Sequence, residues 1–316
     1  MEQILPNSLP ADITTEEIMA MDYRYEYTNR ELREDWDRLC NTLLYKNGAQ
    51  FKPGMKLCQH FFPNFWKIKN SKGLSFERCW QDPELMKKVH EWGKKSMSQL
   101  WLSWIRRAVF LTGGLPNSSY YRPHFSKQVI QQFAKKRDGI LFDPCAGWGG
   151  RMLGTVAAGW SYVSCEPNPE TYDNLQRLIQ FLNIGDRATI HLLPAEKFEA
   201  KENTFDVVLT SPPYFNLEIY TTEQAQSYHV HSEYDAWRNQ WFIPLMEKGF
   251  FMLKEDGLSC WNVMNFGKQN LVETVFETHE KNHYQLIDTV GFSSPLANIR
   301  NLKNKDVTYI FSKENK

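Results

Sequence analysis

Polar and apolar positions alternate in short blocks through the second part of the chain. Ile140–Asp143, Tyr162–Glu166, Thr189–Leu193 and Phe205–Leu209 are brief, mostly apolar runs bounded by turn-forming residues, and they read as buried strands. Ser126–Lys136, a stretch from about Gly149 to Ala158, and Pro169–Leu182 instead repeat their apolar residues at helical spacing. Strands alternating with helices predict right-handed βαβ units around a parallel sheet. The first 115 residues follow another pattern. Thr14-Thr15-Glu16-Glu17 caps a helix, and Tyr27–Leu44 carries apolar residues at helical intervals. Pro53, Gly54, Pro63 and Gly73 stand among aromatics over residues 51–81, which predicts turns and short strands there. Asp82-Pro83-Glu84 opens a further helix. Its stripe of Leu85, Val89, Trp92, Met97, Leu100, Trp101 and Trp104 is weakened at Gly93 and closed by Gly113-Gly114-Leu115-Pro116. The chain therefore divides into a mainly helical region, 1–115, and an α/β region, 116–316.

Composition narrows the class. At 316 residues, 42% of them hydrophobic, the chain has room for one large domain and a smaller one. No apolar run approaches the ~20 residues of a membrane span, and no signal-peptide pattern opens the chain. The six cysteines are scattered with no CxxC pair, which points to reduced thiols in a cytosolic protein and argues against structural zinc. Net charge is zero but uneven. Residues 51–137 hold 17 Lys/Arg against 4 Asp/Glu, flanked by acidic segments. Trp66, Trp80, Trp92, Trp101 and Trp104 lie in the same block, with Phe61, Phe62 and Phe65. Any one of these residues is more simply a core ring or a solvated lysine. The surplus as a whole favours a polyanion, because cations supply phosphate contacts and rings stack on bases.

Two stretches carry chemistry. Leu209-Thr210-Ser211-Pro212-Pro213-Tyr214 ends an apolar strand. Its two prolines forbid helix and ladder pairing, so a stiff, extended loop must leave the sheet at the end where α/β sheets bind ligands. The other stretch is Asp143-Pro144-Cys145-Ala146-Gly147-Trp148-Gly149-Gly150-Arg151. Its glycines let backbone amides approach a ligand at a helix N-terminus. A dinucleotide fingerprint starting at Gly147 would need glycine at Met152, so that reading fails. Glu166 ends the next strand, where a carboxylate can accept both hydroxyls of a ribose, a feature that dinucleotide binders share.

The pattern Asp-Pro-x-x-Gly-x-Gly-Gly-Arg at 143–151 resembles motif I of class I methyltransferases. With Glu166, Pro194-Ala195-Glu196 and Ser211-Pro212-Pro213-Tyr214 it resembles the amino-methyltransferases of DNA, whose signature is Ser/Asn/Asp-Pro-Pro-Tyr/Phe/Trp. The likeness runs from about Tyr120 to Phe311. It includes Phe125, eighteen residues before Asp143, in the place of the family's cofactor-contacting N-terminal motif. Residues 1–115 have no counterpart in it. The resemblance implies an α/β fold, a class I methyltransferase (Rossmann-like) sheet with an added, mainly helical N-terminal region. It also implies S-adenosyl-L-methionine as cofactor, bound by Phe125, Asp143, Pro144, Ala146, Gly147, Gly149, Glu166, Pro167, Ala195, Glu196 and Ser211. Asp143 is expected to meet the methionine amino group.

An exocyclic amino nitrogen is a poor nucleophile because its lone pair is delocalised into the base. Acceptors that hold its protons out of the ring plane free that pair. The Ser211 hydroxyl and the Pro212 carbonyl, held by Pro212 and Pro213, are expected to do this while Tyr214 stacks on the base. Stacking of about 1–3 kcal/mol is comparable with the cost of extruding a base. Asn216, Glu218 and Tyr220 are expected to line the base pocket, with Gln226 and Ser227 ordering the loop above it. Glu196 reads equally as a cofactor contact and as a solvated residue. Cys145 reads as a small residue against the sheet, His229 and His231 as surface histidines, and Trp237 with Trp241 as core.

The expected activity is methylation of a DNA amino group, cytosine N4 ahead of adenine N6. Alternatives are an RNA amino-methyltransferase and a non-catalytic nucleic-acid-binding module. The expected partner is duplex DNA with the target base flipped, engaged by residues 1–115, with at most a loop at Asn298–Asn301 and Lys303–Lys305 touching the backbone. The family likeness leaves room for a restriction or modification partner, no membrane, and the cytoplasm of a bacterial or phage-infected cell.

Overall fold

The computed structural model describes residues 8–42, 52–115, 119–220, 225–291 and 307–313. The expected contacts at 298–301 and 303–305 lie outside the described residues. In chain order the first helices are α1 (Thr15–Ala20), α2 (Asn29–Asn41), α3 (Met55–Phe61), α4 (Phe76–Trp80), α5 (Pro83–Ser96), α6 (Leu102–Thr112) and α7 (Pro123–Phe133). Strand β1 (Ile140–Asp143) then leads through α8 (Gly150–Ala157) to β2 (Ser161–Cys165), and through α9 (Pro169–Leu182) to β3 (Ala188–His191) and β4 (Phe205–Thr210). Next come the short helices α10 (Ser227–Val230) and α11 (Tyr234–Trp237), then α12 (Ile243–Met252) and β5 (Leu253–Val263). Helix α13 (Leu271–Lys281) and strands β6 (Tyr284–Gly291) and β7 (Val307–Lys313) complete the series.

All seven strands form one sheet in the order β3-β2-β1-β4-β5-β7-β6. Strands β1 to β5 pair in parallel, as the βαβ pattern predicts, and β7 runs antiparallel to both β5 and β6. Every residue of β4 is buried, which is why its sequence is mostly apolar rather than alternating, with Asp206 neutralised by Lys136 and Lys254. Chain direction across the sheet reverses between β1 and β4, so the crevice at their carboxyl ends is the topological switch point.

The residues group into two compact units: Met1–Glu26, Pro63–Ser119 and Asn216–Thr222 in one, and Tyr27–Phe62, Tyr120–Phe215 and Glu223–Lys316 in the other. A single division after residue 115 is therefore not how the chain groups, because residues 27–62 belong with the sheet. Phe61 and Arg33 pack on the Phe181 ring of α9, and the buried Lys127 of α7 adds a polar tie. Its ammonium donates to the carbonyls of Leu39 and Cys40, both at 2.7 Å, and of Thr42 at 3.0 Å, closing the C-terminus of α2. Gly54, in left-handed backbone, leaves no room for a side chain against Leu39 and Pro123.

The helical unit has an aromatic core. Tyr23 packs its ring 5.3–5.6 Å from those of Trp66, Phe76 and Trp80. Helix α1 starts with the expected capping box, Thr14 with Glu17, and α2 of the sheet unit starts with Thr28 and Glu31 in the same arrangement. The predicted strands at 51–81 are instead α3, a 3-10 turn at Pro63–Lys67 and α4. Burial of Leu57, Cys58, Phe76 and Cys79 on one side of these short helices outweighs the local turn signals. The long helix predicted after Asp82 is two helices, since backbone at Met97 is extended and Trp101 starts α6.

Candidate active site

The turn after β1 is built around a sealed ion pair. Asp143 is fully buried, and its Oδ2 accepts from Arg151 Nε at 2.7 Å and from the Tyr162 hydroxyl at 2.6 Å. Its Oδ1 accepts from the Cys145 amide at 3.1 Å. The Arg151 guanidinium also donates to the carbonyls of Cys145 and Ala146. Burial opposes the Arg151 charge, but Asp143 and Tyr162 more than offset it, and its pKa is raised. Asp143 thus shapes the turn from beneath. A carboxylate open to a methionine amino group was expected, and in the described conformation its oxygens are taken by these three donors.

Gly147 and Gly149 take left-handed backbone angles, φ of 57° and 72°. Side chains rarely adopt these, so glycine is required for the chain to turn directly into α8. Pro144, Ala146 and Gly149 are buried, and Gly147 is half-buried. Phe125 sits half-buried one turn into α7, its ring 4.4 Å from that of His124. Helix α7 comes very close to α8: a β-carbon on Gly154 would fall 1.9 Å from the Pro123 carbonyl, and the Ser126 hydroxyl donates to the Arg151 carbonyl at 2.8 Å. Phe125 and the glycine turn are thereby joined through α8.

Glu166 follows β2 directly and is 8% exposed. Burial pushes its carboxyl up to about 7, although the amides of Asn168 and Gly147 donate to it. A dry carboxylate beside the first glycine of the turn suits a diol: two hydroxyl donors would stabilise the charge that burial disfavours. Pro167 is half-buried behind it. Ala195 is buried in a short 3-10 turn after β3, and Glu196 on that turn is exposed. Its carboxylate accepts from Trp241 Nε1 at 3.0 Å, where α11 passes through a π-helical stretch, Arg238–Phe242, into α12. Trp237 and Trp241 are core residues, as the sequence predicts.

The proline loop leaves β4 at the sheet's carboxyl edge. Pro212 is buried, while Ser211 and Pro213 are half-buried. Tyr214 is 7% exposed, its hydroxyl donating to the Asn262 carbonyl at 3.4 Å and its ring 6.0 Å, edge-on, from Phe266. An open platform was expected there; the ring is instead tucked against the segment that follows β5. Asn216, Glu218 and Tyr220 fall in the helical unit, apart from Ser211–Tyr214 in the contact grouping. Ile219 exchanges backbone hydrogen bonds with Lys69, and the Tyr220 hydroxyl donates to the buried Glu218 carboxylate. Gln226 and Ser227 are buried, and Ser227 Oγ accepts from Trp237 Nε1 at 3.0 Å.

Sequence reasoning missed Tyr162, Asn262 and Thr308. Nothing local marks them, since strand pairing alone brings them to the turn and the loop. Cys145 fits its bland reading: desolvation and Asp143 push its thiol well above the ordinary range, which keeps it protonated and un-nucleophilic. Three lysines of the basic block, Lys56, Lys127 and Lys136, are engaged within the fold. Lys127 caps α2, Lys136 and Lys254 both pair with the buried Asp206 at 2.8 Å, and Lys56 pairs with Glu31. Trp66 and Trp80 are core, whereas Trp92 and Trp101 stay exposed.

Six strands running one way, a switch point between β1 and β4 and one reversed strand, β7, among the described residues, with the glycine turn at the switch, make this a class I methyltransferase (Rossmann-like) sheet, with an added helical N-terminal region. A scan of known protein families finds no match to the chain, and no curated protein matches its sequence. Solved structures with a similar fold include a SAM-dependent O-methyltransferase from Thermotoga maritima. It is 12% identical over 65% of this chain and 70% of its own, with a TM-score of 0.43. A tRNA (m1A58) methyltransferase from Aquifex aeolicus is 13% identical over 63% and 72%, with a TM-score of 0.41. The 1,6-didemethyltoxoflavin-N1-methyltransferase of Burkholderia thailandensis is 15% identical over 60% and 77%, with a TM-score of 0.40. No helix among the described residues is long and apolar enough to cross a membrane.

Proposed function

We propose that this chain transfers a methyl group from S-adenosylmethionine to an exocyclic amino group of a DNA base, cytosine N4 ahead of adenine N6. One observation carries the reading. The Asp143–Gly150 turn, the Glu166 carboxyl and the Ser211–Tyr214 loop end three strands, β1, β2 and β4, that are neighbours at the sheet's switch point. A nucleoside held by Glu166 and the turn lies beside the loop built to receive an amino group. The cofactor supplies an electrophilic methyl on sulfonium. The chain supplies the rest: Ser211 Oγ and the Pro212 carbonyl accept hydrogen bonds from the amino group, Tyr214 confines the base, and the methylated nitrogen gives up one proton to solvent as S-adenosylhomocysteine leaves. No covalent nucleophile is needed, in keeping with the high thiol pKa of Cys145.

DNA engagement is assigned to the helical unit, on α5 and α6. Exposed Trp92 there has Lys88 and Lys95 on the same helix face, and Trp104 lies 5.0 Å away. The unit as a whole balances 11 Lys/Arg against 11 Asp/Glu, so this face and not the net charge supports the assignment.

The test is mass spectrometry of nucleosides from duplex DNA treated with the protein and isotopically labelled cofactor. Labelled N4-methylcytosine is the expected product. Labelled N6-methyladenine would move the target base, and label appearing only in RNA would replace DNA as substrate. Failure to bind S-adenosylmethionine in calorimetry would overturn the enzyme reading and favour a non-catalytic binding module.

A further inference from the structure

We infer that Asn262 is a positioning residue for the proline loop, orienting the Ser211 hydroxyl through its side chain and anchoring Tyr214 through its backbone. The inference rests on the proposed amino-group methylation. Its geometry comes from strand register: Thr210 on β4 lies opposite Trp261 on β5, so the next residues, Ser211 and Asn262, emerge side by side. Asn262 Nδ2 donates to Ser211 Oγ at 3.4 Å, and the Asn262 carbonyl accepts from the Tyr214 hydroxyl at 3.4 Å. One residue of the neighbouring strand thereby holds both ends of Ser-Pro-Pro-Tyr.

The direction of the Asn262 amide is set from the other side. Thr308, its fully buried cross-strand partner on β7, donates its hydroxyl to Asn262 Oδ1 at 2.9 Å. That fixes the oxygen toward Thr308 and the NH2 toward Ser211. With its proton committed to Asn262, Thr308 Oγ1 can only accept from the Tyr121 hydroxyl, 3.1 Å away. The result is a one-way relay of donors, Tyr121 to Thr308 to Asn262 to Ser211. Chains of this kind polarise each successive bond. A hydroxyl oxygen has two acceptor positions, and Asn262 fills one. Ser211 Oγ is therefore held with a single lone pair left over, the acceptor that an amino proton of the base requires. The same Tyr121 ring lies 5.1 Å beneath the Arg151 guanidinium, so the relay begins on the residue that braces the cofactor turn.

Asn262→Asp is nearly isosteric and keeps the oxygen that serves Thr308, but it can donate to Ser211 only when protonated. At pH 8 its kcat is expected to fall at least ~10-fold, since misplacing a reacting group by about 1 Å can cost ~100-fold. KM for DNA and Kd for S-adenosylmethionine should stay within about threefold of the parent, and the kcat ratio of variant to parent should climb as pH drops toward 5. Thr308→Val, which releases the amide, should lower kcat with the same split. Unchanged kcat in both variants of an active enzyme would overturn the inference. So would a fall in kcat matched by equal losses in binding with no recovery at low pH, because that is a packing defect. If the parent binds cofactor and methylates nothing, the functional reading fails, and the positioning role is judged by hydrogen exchange alone. Asn262→Ala should then speed exchange of the Ser211, Tyr214 and Phe215 amides at least ~10-fold without changing global stability, and unaltered exchange would sink it.

Discussion

Arg151 Nε lies 2.7 Å from Asp143 Oδ2, and both side chains are buried. A pair of this kind contributes little net stability while intact, but leaves a costly charge when one partner is removed. Asp143→Asn is therefore expected to destabilise the protein by about 3–5 kcal/mol. Asp143→Asn combined with Arg151→Met should recover part of that loss, since no lone guanidinium then remains. Urea unfolding of the parent, the two single variants and the double variant closes the cycle. Additive losses would show that the two residues act separately.

Tyr214 combines a hydroxyl anchored on Asn262 with a ring that is nearly covered. Tyr214→Phe keeps the ring and loses one long hydrogen bond, so turnover should stay within about threefold. On the proposed reading, Tyr214→Ala removes the surface against which a base is confined. Stacking of about 1–3 kcal/mol corresponds to a ~5- to 150-fold loss of kcat/KM, while S-adenosylmethionine binding stays unchanged in calorimetry. Equal activity of the parent and Tyr214→Ala would remove Tyr214 from the site.

Lys127 ties α2 to the sheet unit through three carbonyls. Burial lowers its pKa, so its charge is held there against desolvation by those acceptors. Lys127→Met should cost about 1–3 kcal/mol, because the carbonyls at the end of α2 lose their donor. It should also expose residues 27–62 to limited proteolysis well before the sheet is cut. Simultaneous cutting of both would show that α2 does not open separately.

The alternation of strands and helices after residue 116 was legible because each element there follows its own period. Strand β4 reads as buried from five consecutive apolar or shielded residues, and Gly147 and Gly149 stand where left-handed backbone is required. The turn after Asp143 was legible as a tight glycine turn into a helix for the same reason. What the residues do inside it was less so. Whether Asp143 faces a ligand or Arg151 depends on a contact eight residues away and on Tyr162 from the adjacent strand. Asn262 and Thr308 carry no local signal, since only the β4–β5 and β5–β7 registers bring them to Ser211. Charge counted along the chain does not reveal burial: within the basic block Lys127 is an internal cap, and Trp66 and Trp80 are core. The helix at residues 29–41 was read correctly from its pattern, yet its membership of the sheet unit rests on contacts distant in sequence, Lys127 and Phe181 among them.

Glu166 gives the site a pH dependence whose sign can be worked out. Burial raises its carboxyl from the ordinary 4.5 to about 7 in the folded protein. Between those values the folded state holds a proton that the unfolded state has released. The contribution of Glu166 to stability is thus fully present below 4.5 and is lost as pH rises through about 7. Glu166→Gln, which is permanently neutral, should flatten that part of the stability–pH curve. Cofactor affinity has the opposite sign. A ribose diol donates to the ionised carboxylate, so binding of S-adenosylmethionine should tighten as pH rises from 6 to 8 and level off above the pKa. Below the pKa, binding must release a proton. Calorimetric titrations at pH 6.5 in two buffers of different ionisation enthalpy should differ in apparent heat by the buffer difference multiplied by that proton count. Identical heats in both buffers, together with affinity that does not change between pH 6 and 8, would show that Glu166 is not the group that accepts the ribose.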